Sequence, residues 1–390
     1  MIDERAVMAT YARYPVTLVR GEGVRAWDDE GSAYLDLIGG LGALSLGHAH
    51  PRWVAAVEDA ARTIGLTSNL VATVPQARLA DRLRNLLPID DAKVFFANSG
   101  AEANEAALKL VRLHGLRTRR STIVCLEGSF HGRTIATLAA TGQPTKRAPF
   151  EPLLDWFRFV EPNDAEALRL AFAPGDVAAV LVEPIMGEGG VVALTPAYLR
   201  AVRETCDAAG ALLVVDEVQA GMGRTGEWMS VSASGVVPDV ATFAKALGGG
   251  LPIGAVVARG DLAFTTGQHA STFGGGPVPC SAALAVIDAI ERDGLLANVA
   301  AMGELFRAEI VRLAPSGTVR EVRGRGLLVG VALAGGIDAE AAVGAVRRRG
   351  VLVSIAGIDV IRATPPFTIG AGEIDEAAKA IAGALAEVAS

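Results

Sequence analysis

The sequence predicts an α/β fold in which helices pack on a mainly parallel sheet. Across residues 51–285, short apolar runs alternate with longer amphipathic segments, as in folds built from strand–helix–strand units. The apolar runs are continuous in valine, leucine and isoleucine, which is typical of strands buried on both faces. With 390 residues, of which 51% are hydrophobic, the chain is long enough to bury a large core.

Each element of this large domain follows from its apolar pattern and its length. Strands are predicted at residues 94–96, 122–125, 177–182, 211–215 and 253–258, where the apolar runs are short. Helices are predicted at residues 101–116, 196–209 and 281–292, where apolar and polar residues recur at helical spacing.

The two ends of the chain are predicted to form a smaller unit. Residues 16–37 have a hairpin pattern, and the last hundred residues have the pattern of a small α+β domain with a helix at 339–349. We therefore predict an N-terminal segment (1–50) that packs on a C-terminal small domain (286–390). The large domain (51–285) lies between them in the chain.

Composition and charge exclude several classes of protein. A net charge of −7 argues against a surface for nucleic acid or anionic membrane, and no apolar run approaches the ~20 residues of a membrane span. The three cysteines, Cys125, Cys206 and Cys280, form no paired framework, which favours a reducing compartment. The first five residues show no signal-peptide pattern, so we expect a cytoplasmic protein that does not bind membranes.

A candidate anion site lies where a predicted strand ends near Phe96 and a helix begins near Ala101. Ser99 and Glu102 have the spacing of a capping box, and Gly100 permits a sharp turn. The free amides at such a helix start attract an anion such as phosphate. An ordinary capped helix is the alternative explanation.

A second candidate is Asp216, which ends a buried strand together with Glu217. Ligands of open α/β sheets lie at the carboxyl ends of strands, so Asp216 is well placed to bind one. The alternatives are a solvated acid and a metal ligand, but the five histidines show no matching ligand spacing, and no metal is expected. The G-x-G-x-x-G run at 221–226 lacks the strand–turn–helix setting of a dinucleotide site.

The third candidate is Lys245, which lies between an apolar run and three glycines. Only five of the 36 lysine and arginine residues are lysines, and the other four lie in helical or polar surroundings. A desolvated lysine loses its preference for the charged form and becomes a usable nucleophile. The alternative is a lysine at a loop edge whose ammonium reaches water.

Two further segments carry groups that suit a flat, anionic ligand. Phe130 has a ring that could stack on a planar molecule, and Arg133 offers a bidentate site for a carboxylate. Ser271 and Thr272 place hydroxyl groups beside a glycine-rich loop, where they could reach a phosphate. A surface turn is the alternative explanation for each segment.

Taken together, these segments resemble the class III pyridoxal-phosphate-dependent aminotransferases of fold type I. The resemblance covers nearly the whole chain. Within this family, the sequence most resembles the acetylornithine aminotransferases. It implies a seven-stranded, mainly parallel sheet and a homodimer. The matching runs, in chain order, are LGHAHP, FFANSGAEANEAALKL, FHGRT, TGQP, EPIMGEGG, LLVVDEVQAGMGRTG, PDVATFAKALGGGLPIGA, STFGG, VRGRGLL and VIRATPP.

The resemblance also implies a role for each matching residue toward pyridoxal 5'-phosphate. Lys245 corresponds to the lysine that bonds to the cofactor's aldehyde and then moves a proton, and Asp216 to the partner of the pyridine nitrogen. The other implied contacts are Ser99, Gly100 and Ala101 with the phosphate, Thr272 with the phosphate of the neighbouring subunit, Phe130 and Val218 with the two ring faces, and Gln219 with the ring hydroxyl.

The implied reaction is ping-pong transfer of the ω-amino group of an acylated ornithine, N2-acetylornithine, to 2-oxoglutarate, as in arginine biosynthesis. The products are the semialdehyde and glutamate. Arg133 corresponds to the arginine that holds the distal carboxylate, and Ser271 to a residue near the substrate. Glu188 and Arg362 correspond to a gate in which Glu188 masks Arg362 for the amine donor and frees it for glutamate or 2-oxoglutarate.

The chain departs from the family pattern at Leu44, Ala270, Gly276 and Ser354, which are predicted to line the substrate entrance. The amine donor therefore stays open among acetylornithine, ornithine, succinylornithine, 4-aminobutyrate, a carrier-bound lysine and a pathway-specific amine. A decarboxylase or aminomutase would use the same cofactor for a different reaction. A nicotinamide-dependent dehydrogenase and a non-catalytic binding protein are more distant alternatives.

Overall fold

The strands of the chain are known from a computed structural model, which describes residues 6–390. The first six are β1 (Leu18–Glu22), β2 (Arg25–Asp28), β3 (Ala33–Asp36), β4 (Lys93–Ala97), β5 (Thr122–Leu126) and β6 (Phe157–Val160). The next six are β7 (Val177–Val182), β8 (Ile185–Met186), β9 (Val192–Ala193), β10 (Leu212–Asp216), β11 (Val240–Phe243) and β12 (Gly254–Ala258). The last five are β13 (Val319–Arg325), β14 (Leu328–Leu333), β15 (Val351–Leu352), β16 (Ser354–Ala356) and β17 (Val360–Ala363).

Twelve α-helices are found within the described residues. The first six are α1 (Gly39–Gly42), α2 (Pro51–Thr63), α3 (Val74–Leu86), α4 (Gly100–Thr118), α5 (Ile135–Ala139) and α6 (Pro144–Arg147). The others are α7 (Ala165–Ala171), α8 (Pro196–Ala209), α9 (Pro277–Arg292), α10 (Leu295–Leu313), α11 (Ala339–Arg348) and α12 (Ala371–Val388). None of the helices described is long and apolar enough to cross a membrane.

Seven strands form the central sheet, in the order β4-β12-β11-β10-β7-β5-β6. The adjacent pairs from β11 to β6 are parallel, whereas β12 runs antiparallel to both β11 and β4. The predicted α/β fold with a mainly parallel seven-stranded sheet is therefore confirmed. The five predicted strands are all present in this sheet, and β6 and β11 are additional strands that the apolar pattern did not identify.

The sheet brings distant parts of the chain to one edge. Strands β4, β5, β7, β10 and β11 all run in the same direction, so their carboxyl ends lie side by side. In open α/β sheets this edge is where ligands bind. Asp216 is the last residue of β10, and the segments that follow the other four strands contain Ser99, Phe130, Glu183 and Lys245.

The remaining strands form smaller sheets outside the central one. Strands β13, β14, β17 and β16 form an antiparallel sheet, and β1, β2 and β3 join β15 through parallel pairing of Leu35 with Val351. The N-terminal hairpin thus pairs with the C-terminal part of the chain. The domain boundaries at 50/51 and 285/286 stay predictions, and the first five residues of the N-terminal segment lie outside the described part.

Helix starts account for the main differences between predicted and observed helices. Helix α9 begins at Pro277 rather than at residue 281, because proline is well suited to the first turn, where no amide donor is required. Helix α4 begins at Gly100 with Ser99 as its N-cap.

All three cysteines are buried and free, at positions 125, 206 and 280.

Candidate active site

A cavity of about 430 Å³ lies at the carboxyl edge of the central sheet. It brings together residues that are up to 210 positions apart in the chain, from Ala43 to Ile253. Two of the predicted substrate-binding residues, Arg133 and Glu188, line it. So do eight of the nine predicted cofactor-binding residues, which are Ser99, Gly100, Ala101, Phe130, Asp216, Val218, Gln219 and Lys245.

The start of α4 forms one end of this cavity. The Ser99 hydroxyl accepts from the Glu102 amide at 3.1 Å, so the predicted cap is present. The Glu102 carboxylate accepts from the amide of Asn98 at 2.6 Å, one residue before the cap, so the reciprocal half of the capping box is shifted. A Cβ at Gly100 would lie 2.7 Å from Cγ1 of Val218, hence only glycine fits. This helix start has the amides and the space to hold a phosphate.

Asp216 is held at the end of β10 by three donors. Its Oδ2 accepts from Asn104 Nδ2 at 2.7 Å and from His131 Nδ1 at 2.8 Å, and its Oδ1 accepts from the Val218 amide at 3.0 Å. Asn104 is held in turn by Thr242, whose hydroxyl donates to Asn104 Oδ1 at 2.7 Å. A buried carboxylate that is held in place in this way suits a cationic partner in the cavity.

Lys245 lies two residues after β11, in a strained backbone conformation with φ of 40°. Such strain in a non-glycine residue costs energy and is commonly found at functional sites. Burial and the charge of Arg362 lower the pKa of the Lys245 amine to about 8, against the opposing effect of Glu188, Glu183 and Asp216. A substantial fraction of neutral, nucleophilic amine is therefore present near neutral pH.

Glu183 is a buried acid of the cavity that the sequence analysis missed. It follows β7, and its two carboxylate oxygens accept from the amides of Phe130 at 2.8 Å and Gly187 at 3.3 Å. Burial raises its pKa to about 7, although the charge of His131 opposes the shift. Glu183 thereby fixes the loop that carries Phe130. Its position directly after a buried strand is the signal that could have identified it.

Gln219 links the cavity to the N-terminal segment and to Arg362. Its Nε2 donates to the Leu41 carbonyl at 3.3 Å, and its Oε1 accepts from Arg362 Nη1 at 3.3 Å. A Cβ on Gly187 would lie 1.4 Å from Oε1 of Gln219, so a larger residue at this position would displace the Gln219 amide. The chain thus fixes the amide of Gln219 against the cavity wall.

Arg362 lies on β17, behind the cavity, and is 1% exposed. Its Nη1 donates to Glu188 Oε1 at 2.6 Å and to the Gly187 carbonyl at 3.1 Å. Ser354 lies opposite it in the β16–β17 register, and Arg362 Nε donates to the Ser354 hydroxyl at 3.2 Å. Glu188 lines the cavity in front of Arg362, so the predicted pair is formed and the arginine is covered.

Arg133 and the serine–threonine pair take different positions relative to the cavity. The exposed Arg133 lines it, with its guanidinium 5.6 Å from the Phe130 ring centroid. Ser271 and the exposed Thr272 line a separate cavity of about 820 Å³ at Phe95. Within one chain, the structure therefore does not bring these two residues to the Lys245 cavity.

The four positions that depart from the family pattern also lie in different places. The Ser354 hydroxyl accepts a hydrogen bond from Arg362. Leu44 is next to Gly250, because a Cβ built on Gly250 would lie 3.5 Å from Cδ1 of Leu44. Ala270 lines the 820 Å³ cavity, and Gly276 is the N-cap of α9. None of the four lines the Lys245 cavity.

The groups in the main cavity match what pyridoxal phosphate requires. An amine is present for the aldehyde at Lys245, a buried carboxylate for the pyridine nitrogen at Asp216, and a capped helix start for the phosphate at Ser99. Among the described residues, no group of three or more His, Cys, Asp or Glu is arranged to hold a metal ion.

The comparisons with known proteins identify the class and then the family. The family model of "Aminotransferase class-III" matches residues 7–385. The fold and the site together define a pyridoxal-phosphate-dependent enzyme. The chain belongs to the class-III aminotransferase family, and it is an aminotransferase.

Relatives named acetylornithine aminotransferase match almost the whole chain. An acetylornithine aminotransferase from Caldanaerobacter subterraneus subsp. tengcongensis is 44% identical over 99% of this chain and 98% of its own length. An enzyme of the same name from Mycolicibacterium smegmatis is 47% identical over 95% of this chain and 94% of its own.

Solved structures of aminotransferases are also similar to this chain over almost its whole length. An ornithine aminotransferase from Toxoplasma gondii, which has partial occupancy of PLP at its active site, is 32% identical with a TM-score of 0.95, covering 99% of this chain and 93% of that one. N-acetylornithine aminotransferase from Stenotrophomonas maltophilia is 37% identical with a TM-score of 0.85 and 97% coverage of both chains.

The lowered pKa of Lys245 leads to a testable pH dependence. The rate constant for the reaction of pyridoxal phosphate with the cofactor-free enzyme is expected to rise with pH up to about 8 and then to level off. The sign follows because only the neutral amine attacks the aldehyde. Stopped-flow absorbance from pH 6 to 10 measures this profile. A rate that keeps rising toward the ordinary lysine pKa of about 10.4 would contradict the assignment.

Proposed function

We propose that the chain transfers the ω-amino group of N2-acetylornithine to 2-oxoglutarate and forms N-acetylglutamate semialdehyde and glutamate. The observation that carries the proposal is the pairing of Arg362 with Glu188 at 2.6 Å beside the Lys245 cavity, which Arg133 also lines. An amine donor with one carboxylate needs one arginine, and a dicarboxylate acceptor needs two. A second arginine that Glu188 can cover suits an enzyme that binds the amine donor and the dicarboxylate acceptor in turn.

Pyridoxal phosphate, when bound, withdraws electrons from the substrate carbon and carries the amino group between the two half-reactions. Lys245 lies where its amine can bind the cofactor's aldehyde and, once released, move the proton at the reacting carbon. Asp216, which Asn104 and His131 keep in place, would hold a proton at the ring nitrogen. Phe130 and Val218 would orient the ring from its two faces.

The remaining contacts are also proposed from their positions. Ser99, Gly100 and Ala101 bind the phosphate through the start of α4, and Gln219 bonds the ring hydroxyl. Thr272 completes the phosphate site of a neighbouring subunit, and Ser271 lies near that subunit's substrate. This assignment agrees with their place outside the Lys245 cavity of their own chain.

The gate gives Arg362 two states. With the amine donor bound, Glu188 neutralises Arg362, and Arg133 binds the single carboxylate. With glutamate or 2-oxoglutarate bound, the substrate's second carboxylate replaces Glu188 on Arg362. A charged, bidentate site of this kind adds both affinity and orientation.

The amine donor is inferred from the relatives named acetylornithine aminotransferase. Ornithine is the second candidate, because a structural neighbour with a TM-score of 0.95 is an ornithine aminotransferase. A panel of acetylornithine, succinylornithine, ornithine and 4-aminobutyrate, each with 2-oxoglutarate, tests the proposal by the glutamate formed. We expect the highest kcat/KM for acetylornithine. A higher value for another amine would replace the named donor, and product formed without 2-oxoglutarate would indicate an aminomutase.

Replacing Arg133 by alanine is expected to raise the KM for acetylornithine about 10- to 100-fold, since a hydrogen bond to a charged group contributes roughly 1.5–3 kcal/mol. The kcat should change less, because Arg133 is assigned to the substrate's carboxylate and not to the proton transfer at Lys245. Steady-state kinetics at saturating cofactor measure both constants. Arg169→Ala, an exposed arginine paired with Glu166 on α7, is the matched control. An unchanged KM in Arg133→Ala would remove its role in carboxylate binding.

We also propose that the enzyme acts as a cytoplasmic homodimer. Exposed apolar side chains cluster around residues 66–74 and 273, where Leu70 is 94% and Phe273 is 64% exposed. These segments border Thr272, which the proposal assigns to the neighbouring subunit's phosphate site. Sedimentation of the holoenzyme tests the assembly. A monomer with full activity would exclude the contribution of Thr272 across subunits.

A further inference from the structure

Lys146 is a second cation that faces Glu188. Its Nζ lies 3.9 Å from Oε2 of Glu188, whereas Nη1 of Arg362 donates to the other oxygen, Oε1, at 2.6 Å. Two cations therefore share one carboxylate. Arg362 binds it directly, and the ammonium of Lys146 stands about 1 Å beyond hydrogen-bond distance.

The surroundings of Lys146 keep its ammonium ready for a partner. The residue belongs to α6, and its side chain is 23% exposed, with Nζ 4.9 Å from the Phe130 ring centroid. Within residues 6–390 this ammonium makes no hydrogen bond, so its three donors are free. Lys146 lies outside the sequence runs that carry the family resemblance. The nearest of these runs, TGQP, ends two residues before it, at Pro144.

A dicarboxylate that binds Arg362 must displace Glu188, which would otherwise become a partly buried carboxylate without a partner. Loss of a partner by such a group is costly, and the cost would weaken dicarboxylate binding. We propose that Lys146 receives the Glu188 carboxylate when the gate opens, and so acts as a positioning residue for the open state. The inference rests on the proposed function, since it requires that Arg362 alternate between Glu188 and a substrate.

The charge of Glu188 supports this role. Burial alone would raise its pKa, but Arg362, Lys245 and Lys146 together hold the pKa below the usual value. Glu188 is therefore ionised in the closed state, and it needs a second cation to remain ionised when Arg362 turns to a substrate. Arg362 serves in the closed state, and Lys146, whose Nζ lies 3.9 Å from the other carboxylate oxygen, would serve in the open one.

The test measures binding of glutarate, a five-carbon dicarboxylate that lacks a group to transaminate, to the holoenzyme by calorimetry. Lys146→Met removes the charged Nζ and keeps most of the unbranched side chain, and we expect glutarate to bind about tenfold more weakly, within the usual range of coupling between sites. Lys146→Arg should bind glutarate as the wild type does. Lys379→Met removes an exposed lysine paired with Asp375 and is the control for loss of one positive charge.

A double-mutant cycle separates this role from direct binding of the ligand by Lys146. In Glu188→Gln no carboxylate needs to be received, so adding Lys146→Met should leave glutarate affinity within about twofold of the single variant. If the tenfold loss persists in the double variant, Lys146 binds the dicarboxylate itself and the inference is wrong. It is also wrong if Lys146→Met alone binds glutarate as the wild type does.

These outcomes are distinguishable from failure of the proposed function. If the wild type forms glutamate from 2-oxoglutarate and an amine, the proposed amino transfer stands, whatever the Lys146 variants show. If the wild type neither binds glutarate nor aminates 2-oxoglutarate, the proposed function is wrong, and the inference falls with it.

Discussion

Replacing Lys245 by alanine is expected to lower the rate of amino transfer by about 10⁴-fold or more, because one change removes both a nucleophile and a proton carrier. Lys245 is the only lysine that lines the main cavity in residues 6–390. Lys146, the nearest alternative, faces Glu188 and is not part of the cavity wall. No other side-chain amine can therefore take its place.

The measurement combines kinetics with a chemical readout. Borohydride reduction of the wild-type holoenzyme should attach the cofactor covalently, and peptide mass spectrometry should locate it at Lys245. The alanine variant should bind the cofactor reversibly and yield no labelled peptide. Lys379→Ala is the control, because this lysine lies on the exposed face of α12. Label at another lysine of the wild type, or turnover by Lys245→Ala within 100-fold of it, would overturn the assignment.

Much of the site could be predicted because its residues are set by local chemistry. Lys245 is one of few lysines and is flanked by glycines, Asp216 ends a buried strand, and Ser99 caps a helix. Each of these signals spans fewer than ten residues. The strands that hold them were identified for the same reason, since a buried strand is a short apolar run.

The supporting contacts could not be predicted, because they depend on the order of strands in the sheet. Asn104 and His131 reach Asp216 across 112 and 85 residues of chain. Their meeting requires α4, the loop after β5 and the end of β10 to converge, and no local pattern specifies that. Strand β6 was missed because its sequence, FRFV, contains Arg158, whose guanidinium pairs with Asp176 rather than breaking the strand.

The same limit applies to the substrate end of the cavity. Ser354 was noted only as a departure from the family pattern, but the β16–β17 register places its hydroxyl on Arg362. The sequence predicts that Lys146 is solvated because it lies in a polar helical segment, whereas its ammonium lies beside Phe130 and Glu188. In both positions the partner is distant in sequence, so only the folded chain reveals the contact.

The second large effect is expected for Asp216→Asn, which should slow amino transfer about 100- to 1000-fold, the loss typical of removing one partner of a buried charge pair. Both oxygens of Asp216 accept hydrogen bonds, Oδ2 from Asn104 and His131 and Oδ1 from the Val218 amide. An asparagine must turn its NH₂ toward one of these donors. It can then neither hold a proton at the ring nitrogen nor satisfy all of its neighbours.

The readout for Asp216→Asn differs from that for Lys245→Ala, which separates the two roles. Because Lys245 remains, borohydride should still attach the cofactor covalently in Asp216→Asn while single-turnover rates fall. Glu217→Gln is the matched control. Glu217 is the adjacent buried acid, but its carboxylate binds Ser230 and the Val231 amide away from the cavity. Single-turnover rates of Asp216→Asn within tenfold of those of Glu217→Gln would show that the Asp216 carboxylate is not required for proton transfer, and the charge would then have to come from another group.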